Sequence, residues 1–326
     1  MKQKISNLIQ ISIVVPLYNE DESLTELTDW ISRVMDTHGF SYELILVDDG
    51  SRDNSWQVIQ DLSKLHPIKA IKFNRNYGKS AALNVGFQHA KGEVVITMDA
   101  DLQDSPDEIP ELYEMIKSGN HLVSGWKQKR FDPISKTVPS KFFNWVTRIL
   151  SGIKLHDFNC GLKAYDLKLV KTLDIYGEMH RYIPVIAKRN GFEKISEKVV
   201  EHRARKYGVT KFGLERFIFG FLDLLSITFV SRYKKRPMHF FGTLGTISFV
   251  LGFFAVIGII WEKVRAIYIL QTPDYRDVVD QPLFFIALTA IIIGMQLFLA
   301  GFLGEMMVMN NHKPQDYIFD ETIGLD

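Results

Sequence analysis

Residues 93–103 read EVVITMDADLQ, a β-branched run that ends on two carboxylates, Asp99 and Asp101, with Gln103 two positions on. The run from Glu93 to Asp99 predicts a buried strand. Three earlier stretches read the same way: ISIVVP at 11–16, YELILVD at 42–48 and IKAIKF at 68–73. Between them the apolar spacing predicts helices over 20–37, ending at Gly39, over 52–65 with Ser51 as N-cap, and near 78–91. Downstream, Ser105, Pro106 and Glu108 read as N-cap, first helical residue and capping-box partner of a helix over 107–118. Residues 121–125 read as a further strand. Strands alternating with helices predict an α/β domain, a mainly parallel sheet with helices on both faces. In such sheets ligands bind beyond the carboxyl ends of the strands. That is where Tyr18, Asn19 and Glu20, then Asp48 and Asp49, then Asn74 to Lys79, then Asp99 and Asp101 fall.

The chain has 326 residues and a formal net charge of +1, but its charge is uneven. Residues 1–236 hold 35 Lys/Arg and 29 Asp/Glu, whereas 237–326 hold four and nine. Near-neutral charge argues against a dedicated nucleic-acid binder, while the basic front part suits an anionic ligand or a membrane surface. The single cysteine, Cys160, excludes an intrachain disulfide framework and reads as a small packed residue. Phe240 to Trp261 and Pro282 to Gly304 are uncharged runs of 22 and 23 residues, each long enough to cross a hydrocarbon core of roughly 30 Å. Arg232, Lys234, Lys235 and Arg236 precede the first run, so the positive-inside rule places the front domain in the cytoplasm and the 262–281 connection outside. The run from Ile9 to Leu17 is short and lacks a small-residue cleavage site, so no signal peptide is expected. Residues 212–230, rich in Phe and Leu but carrying Glu215, Arg216 and Asp223, read as an amphipathic interfacial helix or a core helix of the front domain. The expected domains are 1–211, an interfacial and basic segment at 212–236, two transmembrane helices at 237–304 and a tail at 305–326.

No Gly-x-Gly-x-x-Gly follows any strand, which excludes a dinucleotide fingerprint. Gly78-Lys79-Ser80 hints at a P-loop, but Phe73 stands where its first glycine belongs. An Asp-x-Asp at a strand end offers hard oxygen donors suited to Mg²⁺ or Mn²⁺ with substrate phosphates. Alone it reads equally as turn-capping carboxylates. The second pair, Asp48-Asp49, shifts that balance, because four acids at one sheet edge repel unless a cation or hydrogen-bond donors join them. Arg75 and Lys79 could supply donors to phosphate.

The ordered motifs Val15-Pro16-Leu17-Tyr18-Asn19-Glu20, Val47-Asp48-Asp49-Gly50-Ser51, Asn74-Arg75-Asn76-Tyr77-Gly78-Lys79 and Asp99-Ala100-Asp101-Leu102-Gln103-Asp104 resemble those of family 2 glycosyltransferases with the GT-A (Rossmann-like) fold. Asp157-Phe158-Asn159-Cys160-Gly161-Leu162-Lys163, Met179-His180-Arg181-Tyr182-Ile183-Pro184 and Arg205-Lys206-Tyr207-Gly208-Val209-Thr210-Lys211 resemble the polyprenyl-phosphate branch, relatives of dolichyl-phosphate mannose synthase. The two apolar runs match bacterial members similar to undecaprenyl-phosphate glucosyltransferase. Leu162 and Thr210 depart mildly, standing where Phe and Ser are common.

The resemblance implies transfer of one sugar, glucose as first choice, from a UDP-sugar to undecaprenyl phosphate with inversion, in the bacterial inner membrane. It implies that Pro16, Leu17, Tyr18, Asn19, Glu20, Asp48, Asp49, Asn76, Gly78, Lys79, Asp99 and Ala100 hold the nucleotide. Asp99, Asp101 and Gln103 would ligate Mg²⁺ or Mn²⁺. Asp157, with Asp101, would be catalytic, as base or orienter; a purely structural acid in the 157–161 turn is the alternative. Arg205 and Lys211 would meet the acceptor phosphate, with Arg130, Ser140 and Arg181 as further contributors. Lys136, Arg148 and His180 are weaker candidates. Membrane lipids are expected partners, nucleic acid is not, and several glycines in the apolar runs leave a homo-oligomer open. Two other readings compete. A processive polysaccharide synthase carries Gln-x-x-Arg-Trp, and no Arg-Trp pair occurs here. A membrane scaffold that only binds a nucleotide sugar would keep its role without Asp101.

Overall fold

The computed structural model of the chain describes residues 9–128, 134–204, 206–207, 236–272 and 275–310. It divides into two compact units, Met1–Thr228 and Phe229–Asp326. The first is built on a seven-stranded sheet with β1 (Ile11–Leu17), β2 (Tyr42–Asp48), β3 (Ile68–Lys72), β4 (Val94–Thr97), β5 (Leu122–Trp126), β6 (Lys163–Asp166) and β7 (Ile195–Val199). The strand order is β3-β2-β1-β4-β6-β5-β7. All pairings are parallel except those of β6, which runs against both β4 and β5. The expected mainly parallel sheet is therefore present, with one reversed strand after the carboxylate motif.

The strands are apolar at nearly every position because both faces are covered. Ile13 and Val15 pack with Leu24, Leu27 and Ile31 of α1 (Asp21–His38). Val14, pointing the other way, packs with Ala82, Leu83 and Phe87 of α3 (Lys79–His89). Helix α1 ends where predicted: Gly39 takes φ +68° and its N–H returns to the carbonyls of Met35 and Asp36.

Two predicted caps are corrected. Helix α2 spans Ser55–Leu62, and Ser51 does not cap it. The Ser51 hydroxyl instead accepts Asn19 N at 2.9 Å, and Asp53 Oδ1 accepts Ser55 N at 3.0 Å. After β4, Ser105 caps as expected, accepting Asp107 N, with Pro106 first in a 3₁₀ turn that leads into α4 (Ile109–Lys117). Glu108 is not its capping-box partner. Its carboxylate pairs with Lys198 and accepts Glu201 N at 3.0 Å. In both cases a long-range partner outcompetes the local one. The unit is completed by α5 (Ile134–Ser151), α6 (Leu167–Lys171) and α7 (Ile183–Arg189).

At the amino ends of the strands a buried network closes the sheet. Glu43 accepts Ser12 Oγ at 2.5 Å and Lys91 N at 2.7 Å and pairs with Lys69. Burial pushes the Glu43 carboxyl up, but the Lys69, Ser12 and Lys91 donors outweigh it and hold it below its ordinary value of 4.5. A carboxylate lowered on folding stabilises above its unfolded pKa and loses that contribution as pH falls through the folded value. Glu43→Gln is therefore expected to cost about 2 kcal/mol at pH 7. The deficit should shrink as pH falls below about 4.5. Thermal midpoints of both chains across that range check it; a deficit that grows on acidification contradicts it.

The second unit contains α8 (Pro237–Val264), extended by one π turn at Arg265–Ile269, and α9 (Pro282–Asn310). Both are long and apolar enough to cross a membrane. Only 17% and 11% of their most apolar windows are buried, whereas the core helix of a soluble domain is mostly buried. Their glycines pack them against each other: a Cβ on Gly245 would lie 2.6 Å from Gly294 O, and one on Gly252 2.6 Å from Ala287 O. These small residues are used within the chain, whereas a Cβ on Gly258 would meet open space. Glu305 of α9 accepts Met238 N at 3.2 Å and so caps the start of α8.

Arg130, Arg205, Lys211, the 212–230 stretch, the basic residues at 232–235 and the tail after 310 lie outside the described residues, as does the side chain of Lys136.

Candidate functional site

The parallel half of the sheet brings the predicted residues to one edge. Leu17, Asp48 and Lys72 stand in one row at the ends of β1, β2 and β3, with Pro16 opposite Val47. Asp48 is fully buried. Its Oδ1 accepts Ser51 N at 2.8 Å, while Oδ2 has no hydrogen-bond partner among the described residues and lies 3.9 Å from Lys72 Nζ. A buried acceptor left without a protein donor is costly unless water, an ion or a ligand supplies one. Beside it is a cavity of about 300 Å³ lined by Tyr18, Gly50, Ser51, Lys72, Arg75 and Asn76, among others. Gly50 is required here. It takes φ +75°, and a Cβ would lie 2.4 Å from the Arg75 backbone carbon.

Two predicted nucleotide residues brace loops. Asp49 accepts Tyr77 N at 2.7 Å and Gly78 N at 2.9 Å, one on each oxygen. Burial, with the charge of Asp48, raises its pKa against those two donors. Asn19, at φ +51°, accepts Arg52 N at 2.8 Å through its side chain. The loop that Asp49 supports carries Arg75, stacked 4.7 Å over Tyr77, and leads to Lys79 at the start of α3. Glu20 N donates to Ser55 Oγ at 2.9 Å, which fixes the entry to α1.

Beyond β4 the chain makes a tight turn. Ala100 and Leu102 are buried, and Leu102 is held at φ +60°, a conformation that costs a non-glycine residue on the order of 1 kcal/mol or more. The turn presents Asp99 and Asp101. Asp99 pairs with Lys79. Burial works against its charge, but Lys79, Lys127 and Lys163 together hold its pKa below the ordinary range. Asp101 Oδ1 accepts Gln103 N at 3.2 Å. The Gln103 side chain reaches Arg203 O at 3.5 Å, and Arg203 N donates to Gln103 O at 3.0 Å. The turn is thereby paired to the segment that leads toward the third downstream motif. Arg203 also lies 4.3 Å over Trp30, and Lys206 pairs with Glu26 at 2.6 Å.

The turn at 157–161 meets this edge. A Cβ on Gly161 would lie 2.5 Å from Asp99 Oδ2, so only glycine lets the two turns touch. Asp157 is 1% exposed, and its Oδ1 accepts Asn159 N at 3.0 Å. Cys160 is buried, with its thiol pushed up to about 12 by burial and by the charge of Asp104. It is a packed residue and not a nucleophile. His180 docks on Ser80 at the start of α3: its ring Nδ1 is 3.0 Å from Ser80 Oγ, which also accepts His180 N. Arg181 is buried, its Nη2 2.5 Å from Glu178 and its Nε without a hydrogen-bond partner among the described residues. Ser140 and Arg148 lie on α5, and Arg148 Nε donates to Leu155 O at 3.1 Å.

Three charged residues of this region have no role in the motif reading. Lys163 is buried on β6 and donates to Cys160 O. Lys127 lies 2.7 Å from the fully buried Asp104 and is held protonated by it despite its own burial. The signal for Lys163 is a lysine in the otherwise apolar stretch GLKAY, where β6 begins.

Among the described residues no three His, Cys, Asp or Glu side chains form a complete metal cage. Asp99, Asp101 and the Gln103 amide oxygen nevertheless fit a hard divalent cation whose remaining ligands are phosphates and water. Lys79 now supplies the positive charge that Asp99 demands.

Comparison with known proteins agrees with this arrangement. The glycosyl transferase family 2 model matches residues 12–173. A dodecaprenyl-phosphate galacturonate synthase of Rhizobium johnstonii is 33% identical over 94% of this chain and 89% of its own. An undecaprenyl-phosphate 4-deoxy-4-formamido-L-arabinose transferase of Shewanella sediminis is 33% identical over 98% and 94%. Among solved structures, glucosyl-3-phosphoglycerate synthase of Mycobacterium tuberculosis in complex with Mn²⁺, UDP-glucose and phosphoglyceric acid has a TM-score of 0.54 at 20% identity, covering 67% of this chain and 79% of its own, which bears out the GT-A fold. With relatives aligned along nearly its whole length and the family's motifs gathered at one sheet edge, this chain is a glycosyltransferase of family 2.

Proposed function

We propose that the protein transfers a single sugar from a UDP-sugar to polyprenyl phosphate at the cytoplasmic face of a bacterial inner membrane. The observation that carries this reading is the contact of Gly161 with Asp99, which sets the Asp157 turn against the Asp-x-Asp turn in a chain that also holds two apolar helices. On this reading donor and acceptor machinery would be contiguous. The full-length relatives, whose names specify dodecaprenyl and undecaprenyl phosphate, support the same acceptor.

In this reading the open Asp48 Oδ2 accepts a donor from the base or ribose, and Tyr18 and Asn76 line its cavity. Asp101, Gln103 and Asp99 would hold Mg²⁺ or Mn²⁺, which neutralises charge building on the departing diphosphate. Lys79 leaves Asp99 and donates to the diphosphate, and the Asp49-braced loop keeps it in reach. Asp157 orients the attacking phosphate oxygen or takes its proton. Arg181, with an open Nε, and Arg205 and Lys211 meet the acceptor phosphate. Attack on the anomeric carbon from the face opposite the leaving UDP inverts it, so an α-linked donor gives a β-linked product. The anomeric coupling constant of the product tests that step; an α-linked product refutes direct displacement.

The sugar itself is open to a direct assay. Glucose, galacturonate and 4-deoxy-4-formamido-arabinose are the donors to compare first, the last two because the relatives named above act on them. Purified protein, undecaprenyl phosphate, a divalent cation and radiolabelled UDP-sugars should move label into the lipid phase from one donor. Chelator should stop it. Binding of UDP with no lipid-soluble label from any donor would overturn the acceptor assignment.

A further inference from the structure

Thr97, Lys163 and Ser124 stand in one cross-strand row, Lys163 of β6 paired with Thr97 of β4 on one side and Ser124 of β5 on the other. Residues paired in this way share a face of the sheet. Each donates to a different carbonyl of the 157–161 turn. Ser124 Oγ reaches Asp157 O at 3.1 Å, Lys163 Nζ reaches Cys160 O, and Thr97 Oγ1 reaches Gly161 O at 2.9 Å. From the other side Asn144 Oδ1 accepts Phe158 N at 3.3 Å, and Glu197 accepts His156 N at 2.7 Å. The turn that carries Asp157 is therefore tied at five consecutive or near-consecutive backbone positions to four strands and a helix.

Hydroxyls satisfy two of these carbonyls, so a lysine is not needed for the third hydrogen bond alone. Lys163 is 3% exposed, and burying an ammonium costs several kcal/mol unless anions offset it. Its charged neighbours are the Asp157 and Asp99 carboxylates, which favour the ammonium, and Lys79 of α3; burial, together with Lys79, lowers the Lys163 pKa. Two of these are carboxylates that would repel each other if drawn together without a cation. A strand built for stability alone would carry an apolar residue at this position.

We infer that Lys163 is a positioning residue for sugar transfer: its buried side chain pins the Asp157 turn through the Cys160 carbonyl and so holds that turn, at Gly161, against Asp99. The inference rests on the proposed function. It assigns to Lys163 the task of keeping the acceptor-side acid and the donor-side acid in register while two anionic substrates share the site.

The test uses the full chain in detergent or nanodiscs, with Lys163→Met and Lys163→Arg. Lys163→Met keeps the length of the side chain and removes the charge and donors. It is expected to lower kcat about 100-fold, the scale of a small misplacement of a reacting group. UDP affinity, measured by calorimetry, should stay within about threefold, because the Asp48 end of the site is untouched. Lys163→Arg should recover most of the lost kcat. A Lys163→Met chain that keeps kcat within about threefold overturns the inference. So does a chain in which UDP affinity and kcat fall together and Lys163→Arg restores neither, since that is loss of structure. Should Lys163→Met not fold, Ser124→Ala frees the same turn at the Asp157 carbonyl without touching a charge. A kcat fall of about tenfold at unchanged UDP affinity is then expected, and unchanged kcat overturns the inference. A wild-type chain that binds UDP and never glycosylates polyprenyl phosphate fails one step earlier: it removes the acceptor assignment, and the inference falls with it.

Discussion

Replacing Asp101 with alanine is expected to lower the rate of sugar transfer by about 10³-fold, roughly 4 kcal/mol of transition-state stabilisation. Asp101 stands on a turn whose shape is set by its neighbours: Ala100 and Leu102 are buried, and Leu102 is held at positive φ. The turn should survive the substitution, because its shape is held by those buried neighbours and the hydrogen bond that Asp101 accepts from Gln103 N, at 3.2 Å, is long. What is lost is one carboxylate of the Asp-x-Asp turn able to bind a hard cation, and a divalent ion usually relies on one or two of them plus phosphate oxygens. Three results should appear together: a collapse in kcat, UDP binding in the absence of metal that is nearly unchanged, and a residual rate that chelator no longer alters. A thermal midpoint within a few degrees of wild type would show that the fold is intact. Turnover within tenfold of wild type would sink the metal assignment at this turn.

Much of this edge could be read from the chain itself. Strands buried on both faces are apolar throughout, so β1, β2 and β4 stood out, and the polar residues that follow each strand stood out against them. The positions of Asp48, Asp99 and Asp101 follow from that pattern. The partners of individual side chains do not. Ser51 looked like the cap of α2, yet Asn19, 32 positions away, holds it. Glu108 fitted a capping box, yet Lys198 of β7 takes it, and no local rule contains a strand 90 residues downstream. The antiparallel β6 was not visible either. Its four residues are too short for a period, and Lys163 interrupts their apolar character. The interruption was the informative part, because a buried lysine has to be offset by something. The glycines of α8 and α9 show the converse: their spacing announces close packing but not whether the partner is the same chain or another.

Asp157→Asn is the second substitution expected to act strongly, and its dependence on pH separates two roles for the residue. Asparagine is nearly isosteric, and its amide oxygen can still accept Asn159 N, as Asp157 Oδ1 does at 3.0 Å. The main-chain anchor, Ser124 Oγ on the Asp157 carbonyl, is indifferent to the side chain. The turn should therefore hold and only the negative charge should go, with kcat falling about 10²- to 10⁴-fold near neutral pH if that charge takes a proton in the transition state. The acceptor makes the test sharper. A phosphate monoester has its second pKa near 6, so above about pH 7 it arrives already dianionic and needs no base. If Asp157 removes that proton, the ratio of wild-type to variant kcat should be largest below about pH 6 and shrink as pH rises. If Asp157 instead orients the acceptor or steadies charge at the sugar, the ratio should be flat, because the same interaction is missing at every pH. Rates of both chains from pH 5.5 to 8.5 at saturating acceptor, on the order of three pH units around that phosphate pKa, decide between them. A ratio near one throughout would leave Asp157 as a brace for the Asn159 turn and would move the search for the acceptor-side group to Arg181 and His180, which the fold has already brought to the start of α3 and to its flank.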